Sequence, residues 1–124
     1  MNSINRMIQP LLIAAAVYSF PGVAASETGI TGKNLYQAYC SQCHGLYGDG
    51  FGVNSYDIDV APRDHTDASE MAARTDEDLF KAIKFGGKSV NKSPLMPNWD
   101  ENLSDQEIHL IIKHLRKLCC EGGQ

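Results

Sequence analysis

The richest chemistry in this 124-residue chain is concentrated in Cys40-Ser41-Gln42-Cys43-His44. Two thiols three positions apart emerge on one side of a helix, where they can add to the two vinyl groups along one porphyrin edge. The neighbouring histidine can swing under the ring and offer an imidazole nitrogen to iron. This C-x-x-C-H spacing is that of covalent c-type haem attachment. Three other chemistries use the same residue types: a thioredoxin-like redox pair, a zinc site shared by His44 and another histidine, and a plain disulfide. A redox pair calls for a surrounding βαβ pattern and a zinc module for paired ligand spacing, and the flanking sequence has neither.

An iron held by His44 needs a second axial ligand, and Met96 is the best candidate. Its thioether sits 52 residues later on a loop stiffened by Pro94 and Pro97. Methionine more often fills gaps in a core. Here the loop context favours ligation, and a His/Met pair raises the reduction potential of haem c. His65, His109 and His114 are rivals, each by default a solvated or satisfied side chain. Met71 lies in a short polar segment without such a context.

The elements that must position these groups are helical. Leu35, Tyr36, Tyr39, Cys40 and Cys43 recur at spacings of three and four, which predicts one helix from Thr31 to about Cys43, ended by Gly45. The next thirty residues read as loop, with a short helical turn over 68–74. Thr75 and Asp78 mark the start of a helix carrying Leu79, Phe80 and Ile83, and Gly86-Gly87 its end. Pro94 and Pro97 predict an extended loop over 88–102. Ser104 and Glu107 cap a last helix with the stripe Ile108, Ile111, Ile112, Leu115 and Leu118. The expected fold is all-α, with three or four helices and loops long for the chain's size.

Composition sets the wider frame. Residues 1–25 combine Arg6, the apolar run Leu11 to Val17, Pro21-Gly22 and Val23-Ala24-Ala25, the pattern of a secretory signal peptide cleaved after Ala25. The apolar run is shorter than the roughly 20 residues of a spanning helix, so no stable membrane insertion is expected. The working domain is then 26–124, exported to a periplasm, where an oxidising environment makes its four cysteines notable. That domain holds only 20 Leu, Ile, Val and Phe residues in 99 and carries a net charge of −5. The charge argues against nucleic-acid binding. The apolar deficit is one a cofactor would fill, so a haem-free chain is expected to be largely unfolded.

The chain resembles the class I monohaem cytochromes c. The resemblance rests on Gly32 with Leu35-Tyr36, Cys40-Ser41-Gln42-Cys43-His44-Gly45, Gly48-Asp49-Gly50, Pro62-Arg63-Asp64, Thr75 to Gly87, Ser93-Pro94-Leu95-Met96-Pro97, and Leu103 to Ile108 leading to Leu115-Arg116. It implies first and last helices crossing beside one covalent haem c, whose iron is held by His44 and Met96. It also implies that the Pro62 carbonyl accepts the proton on the His44 imidazole, fixing its tautomer. Two features depart from the pattern: His114 stands where relatives carry an aromatic residue, and Cys119-Cys120 has no counterpart. Three fates are open to that pair, a vicinal disulfide, a link between chains, or free thiols, with a structural crosslink favoured by the compartment.

The expected role is electron transfer without catalysis, since no acid/base constellation surrounds the motif. A haem-bearing subunit of a larger oxidoreductase complex and a ligand sensor with a displaceable Met96 are the alternatives; a dimer is also open. Lys81, Lys84, Lys88 and Lys92 lie in a stretch without acids, 79–99, and are expected to ring the haem edge and steer an acidic redox partner.

Overall fold

The computed structural model describes residues 29–120, which form five α-helices and two 3-10 turns, with no strand among the described residues. The expected signal peptide, 1–25, lies outside them. No described helix is long and apolar enough to cross a membrane.

Helix α1 (Gly32–Tyr39) begins where the Thr31 hydroxyl accepts from the Asn34 amide at 3.2 Å. The expected single helix to Cys43 is instead broken at Cys40, and a one-turn α2 (Ser41–His44) follows. The break has a local cause. The Ser41 hydroxyl donates to the Gln37 carbonyl at 2.7 Å, occupying the acceptor that a continuous helix would offer to the Ser41 amide. The Cys43 and His44 amides then both turn back to the Cys40 carbonyl.

Helix α5 (Asp105–Cys120) is opened by the Ser104/Glu107 capping box and buries Ile108, Ile111, Ile112 and Leu115 on one stripe. It crosses α1 at Gly32, where an added Cβ would lie 1.9 Å from the Leu110 carbonyl oxygen. Only glycine allows the two backbones so close. His114 does not weaken this crossing: its ring meets Tyr36 edge-on, with centroids 5.3 Å apart, in the place of the missing aromatic.

Helix α4 (Asp76–Phe85) starts with a Thr75/Asp78 capping box and buries Leu79 and Ile83. Before it, the short α3 (Ala68–Ala72), capped by Asp67, presents Met71. Met71 is fully buried in the core, although its polar neighbours gave it no such role in the sequence. Arg116 of α5 explains why: its guanidinium pairs with Asp76 and donates to the Met71 and Arg74 carbonyls at 2.8 and 2.7 Å. One side chain thus ties the end of α3 and the start of α4 to α5.

After α4 the chain is less extended than its prolines imply, since residues Gly87–Val90 form a 3-10 turn. Gly86 takes φ +78°, the Gly87 amide donates to the Met96 carbonyl at 3.0 Å, and the Trp99 amide donates to the Lys84 carbonyl at 3.1 Å. The Met96 segment is therefore stapled to the end of α4. Cys119 and Cys120 are joined to each other in a vicinal disulfide on the last turn of α5.

Candidate functional site

A cavity of about 400 Å³ lies between these elements. Cys40, Cys43 and His44 border it from the break between α1 and α2. Leu79 and Ile83 contribute from α4, Ile111 and Leu115 from α5, and Met96 from its stapled loop. Tyr39 and Trp99 also border it, packed edge to face with centroids 5.2 Å apart.

The His44 ring is held on two sides. Its Nδ1 lies 3.1 Å from the Arg63 carbonyl oxygen, which can only accept, so Nδ1 carries the proton and the Nε2 lone pair is free in the neutral ring. Burial lowers the His44 pKa against the opposing effect of that hydrogen bond, which keeps the ring neutral. The acceptor expected from the resemblance was Pro62, and the structure corrects this by one residue. The Pro62 carbonyl points at Gly50, 2.9 Å from where a Cβ would sit on that φ +83° residue, which leaves the next carbonyl to reach His44. Pro62 itself remains a wall of the cavity.

The second support of His44 is the buried His65, whose ring stacks on it at 4.5 Å with planes 19° apart. The His65 Nδ1 lies 3.4 Å from the hydroxyl of the buried Tyr36, which donates to the Gly45 carbonyl at 3.2 Å. Burial drives the Tyr36 pKa far up and the His65 pKa far down, so both stay uncharged. This pair was not read from the sequence. The available signal was His65 itself, two residues beyond Arg63, but a lone loop histidine is solvated by default.

The other histidines are placed elsewhere. His65 lies face to face with His44 and so cannot reach an iron from the side opposite to it. His109 stacks on Phe80 at 5.0 Å outside the cavity lining, and His114 meets Tyr36. Met96 borders the cavity from its loop; His65 borders it too, but beside His44, whereas His109, His114 and Met71 do not line it. Among the lysines, Lys84 is tied to Asp105 at 2.6 Å, with its ammonium 5.4 Å from the Phe80 ring centre. Lys92 borders the cavity, and Lys81 and Lys88 are exposed.

These residues fit a covalent haem. Cys40 and Cys43 are unbonded to each other and half-buried at the cavity edge, and burial pushes the Cys40 thiol up to about 12. Among the described residues no three His, Cys, Asp or Glu side chains converge as they would on zinc. The walls are largely apolar, the imidazole has a free nitrogen, and a thioether completes the donor set.

Comparison with known proteins bears on the fold and the family. In solved structures the chain is similar to the c-type cytochrome KustC0563, at 25% identity and TM-score 0.60, over 73% of this chain and 99% of that one. A point mutant of that cytochrome matches at 26% identity and TM-score 0.57, over 72% and 99%. A chain of the Kuenenia stuttgartiensis reducing HAO-like protein complex Kustc0457/Kustc0458 matches at 28% identity and TM-score 0.56, over 71% of this chain and 41% of that one. No curated protein sequence matches. The family model described as cytochrome C oxidase, cbb3-type, subunit III matches residues 27–115, nearly all of the described fold, and the chain belongs to that family of cytochrome c domains.

Proposed function

We propose that this cytochrome c is an electron-transfer protein with one haem c, bound through thioethers to Cys40 and Cys43 and ligated at iron by His44 and Met96. The haem supplies a one-electron iron couple; the chain supplies its ligands, its dry surroundings and its orientation. The observation that carries the reading is the cavity itself, bordered at once by two thiols, a neutral imidazole and a thioether.

Each group has a stated task. The Arg63 carbonyl holds the Nδ1 proton of His44 and makes the ring a better donor. The staple between Gly87 and Met96 presents the thioether without a helix. Leu79, Ile83, Ile111 and Leu115 would keep water away from a haem held here, which would limit reorganisation on electron transfer. With His44 and Met96 both holding the iron, no position would be left for oxygen or peroxide, so the protein would carry electrons rather than catalyse. Export through residues 1–25 places it in the periplasm, where haem c is attached.

Lys81, Lys88 and Lys92 remain the cations available to meet an acidic partner, while Lys84 is engaged by Asp105. A second reading, a permanent subunit of an oxidoreductase, is favoured by the likeness to a chain of a reducing HAO-like complex. The test of the ligand set is Met96→Ala in the haem-loaded protein. It should abolish the thioether-to-ferric-iron band, lower the potential, and let the reduced form bind carbon monoxide that the parent protein excludes. Carbon monoxide binding by the parent would instead mark a sensor with a displaceable Met96, and an unchanged spectrum in the variant would remove Met96 from the iron.

A further inference from the structure

The loop after the C-x-x-C-H turn is built with its bulk facing outward. Leu46, Tyr47, Phe51, Val53 and Tyr56 are between 53% and 81% exposed, within eleven residues. The glycines interleaved with them are buried. A Cβ on Gly48 would meet Leu118 at 2.7 Å, and one on Gly52 would lie 2.2 Å from the Gln42 carbonyl oxygen. The inner side of the loop therefore has no room for a side chain, and the large residues cannot fold inward.

The loop is also fixed in place. The Gly50, Gly52 and Asn54 amides donate to the His44, Cys43 and Gln42 carbonyls at 2.9, 3.1 and 2.8 Å. Three successive bonds thus lay the apolar side chains over the outer side of the turn that carries the haem ligands. None of the five borders the cavity, so a bound haem would not cover them. A rigid group of exposed aromatic and aliphatic side chains marks an interaction surface, since solvent exposure of such a cluster is unfavourable and its ordering entropy is already spent.

Charge identifies the occupant. From residue 34 to residue 62 there is no lysine or arginine, and Asp49, Asp57 and Asp59 are interspersed with the apolar groups. An anionic lipid surface would be repelled by these carboxylates, whereas a protein face with an apolar centre and a basic rim is complementary to them.

We infer that the 46–59 loop is the docking surface for a second redox protein, one whose contact face is apolar and rimmed with lysine or arginine. The inference rests on the reading of the protein as an electron carrier, and its test separates the two.

The probes are tris(phenanthroline) complexes, which are cationic and apolar like the inferred partner face. In the haem-loaded parent protein, tris(phenanthroline)chromium(III) should broaden the amide signals of 46–59 ahead of those in the acidic stretch 64–78. Broadening concentrated in 64–78, or spread evenly over the surface, overturns the inference. Oxidation by tris(phenanthroline)cobalt(III), in which one electron leaves ferrous iron and cobalt(III) becomes cobalt(II), should slow about tenfold in Tyr47→Ser/Phe51→Ser/Tyr56→Ser and several-fold in Asp57→Asn/Asp59→Asn. Oxidation by anionic ferricyanide should change less than about twofold in both. Equal slowing with both oxidants would overturn the inference, because the effect would then lie at the haem and not at a docking face, and unchanged rates with both would leave the electron-carrier reading intact while removing the docking surface. Sedimentation of the parent decides against a second copy or a membrane: a dimer abolished by the triple variant, or co-sedimentation with neutral lipid vesicles, overturns the inference.

Discussion

At the scale of single residues, the position of His44 depends on a glycine six residues away. Gly50 has φ +83° and lies against the Pro62 carbonyl, and this contact sets which carbonyl the imidazole meets. Gly50→Ala would force a Cβ to 2.9 Å from that oxygen in a backbone conformation that alanine disfavours by about 1 kcal/mol. Segment 62–64 must then shift, and the bond from His44 to Arg63 should lengthen. A weaker bond makes the imidazole a poorer donor to ferric iron, so the reduction potential should rise; voltammetry of the loaded variant showing no rise would detach the Arg63 carbonyl from the ligand's electronics. The residues whose spacing answers to a covalent or coordinate bond, Cys40, Cys43, His44 and Met96, were legible as candidates in the sequence. The parts that Arg63 and His65 play beside His44 were not. A backbone carbonyl carries no residue signature, and the stacking of His65 on His44 exists only once the 62–65 segment is laid beside the motif.

At the scale of elements, capping chemistry was readable because it is local. Thr75 with Asp78 and Ser104 with Glu107 satisfy the first amides of α4 and α5 from within four residues. The break at Cys40 was missed because periodicity does not register the competing bond from Ser41 to Gln37. The burial of Met71 was missed for another reason: α3 has five residues, too few for a pattern, and is held by Arg116 from α5, forty-five positions on. The crossing of α1 and α5 is the contact on which the cavity depends, since α1 leads into the thiols and α5 supplies Ile111 and Leu115. Gly32→Val should destabilise the loaded protein by about 3 kcal/mol, because two backbones must separate to admit the side chain. Denaturant unfolding followed by haem absorbance measures this, and an unchanged midpoint would place the helix contact elsewhere.

At the scale of the whole molecule, the protein part of the core is small. Among the described residues ten apolar side chains are buried, and five of them, Tyr36, Leu79, Ile83, Ile111 and Leu115, also face the cavity. Without a haem those five would border water, and the long loops over 45–67 and 86–104 would lose the group they enclose. The haem-free chain should therefore show little helical circular dichroism and no cooperative thermal transition, and a cooperative haem-free fold would show that the ten-residue core suffices. The fold class was visible early in the helix-forming stripes. Helices α1 and α4 each pack on α5 and not on each other, and a haem between them would fill that gap.

All of these expectations depend on a haem bonded to the chain at Cys40 and Cys43. The alkaline pyridine haemochrome spectrum of the purified protein, taken after acid-acetone extraction, tests that most directly. One haem per chain should remain with the protein and show the spectrum of a porphyrin whose two vinyl groups are saturated, and it should be lost in Cys40→Ser/Cys43→Ser. Haem that extracts freely from the parent protein, or no haem at all, would contradict the account.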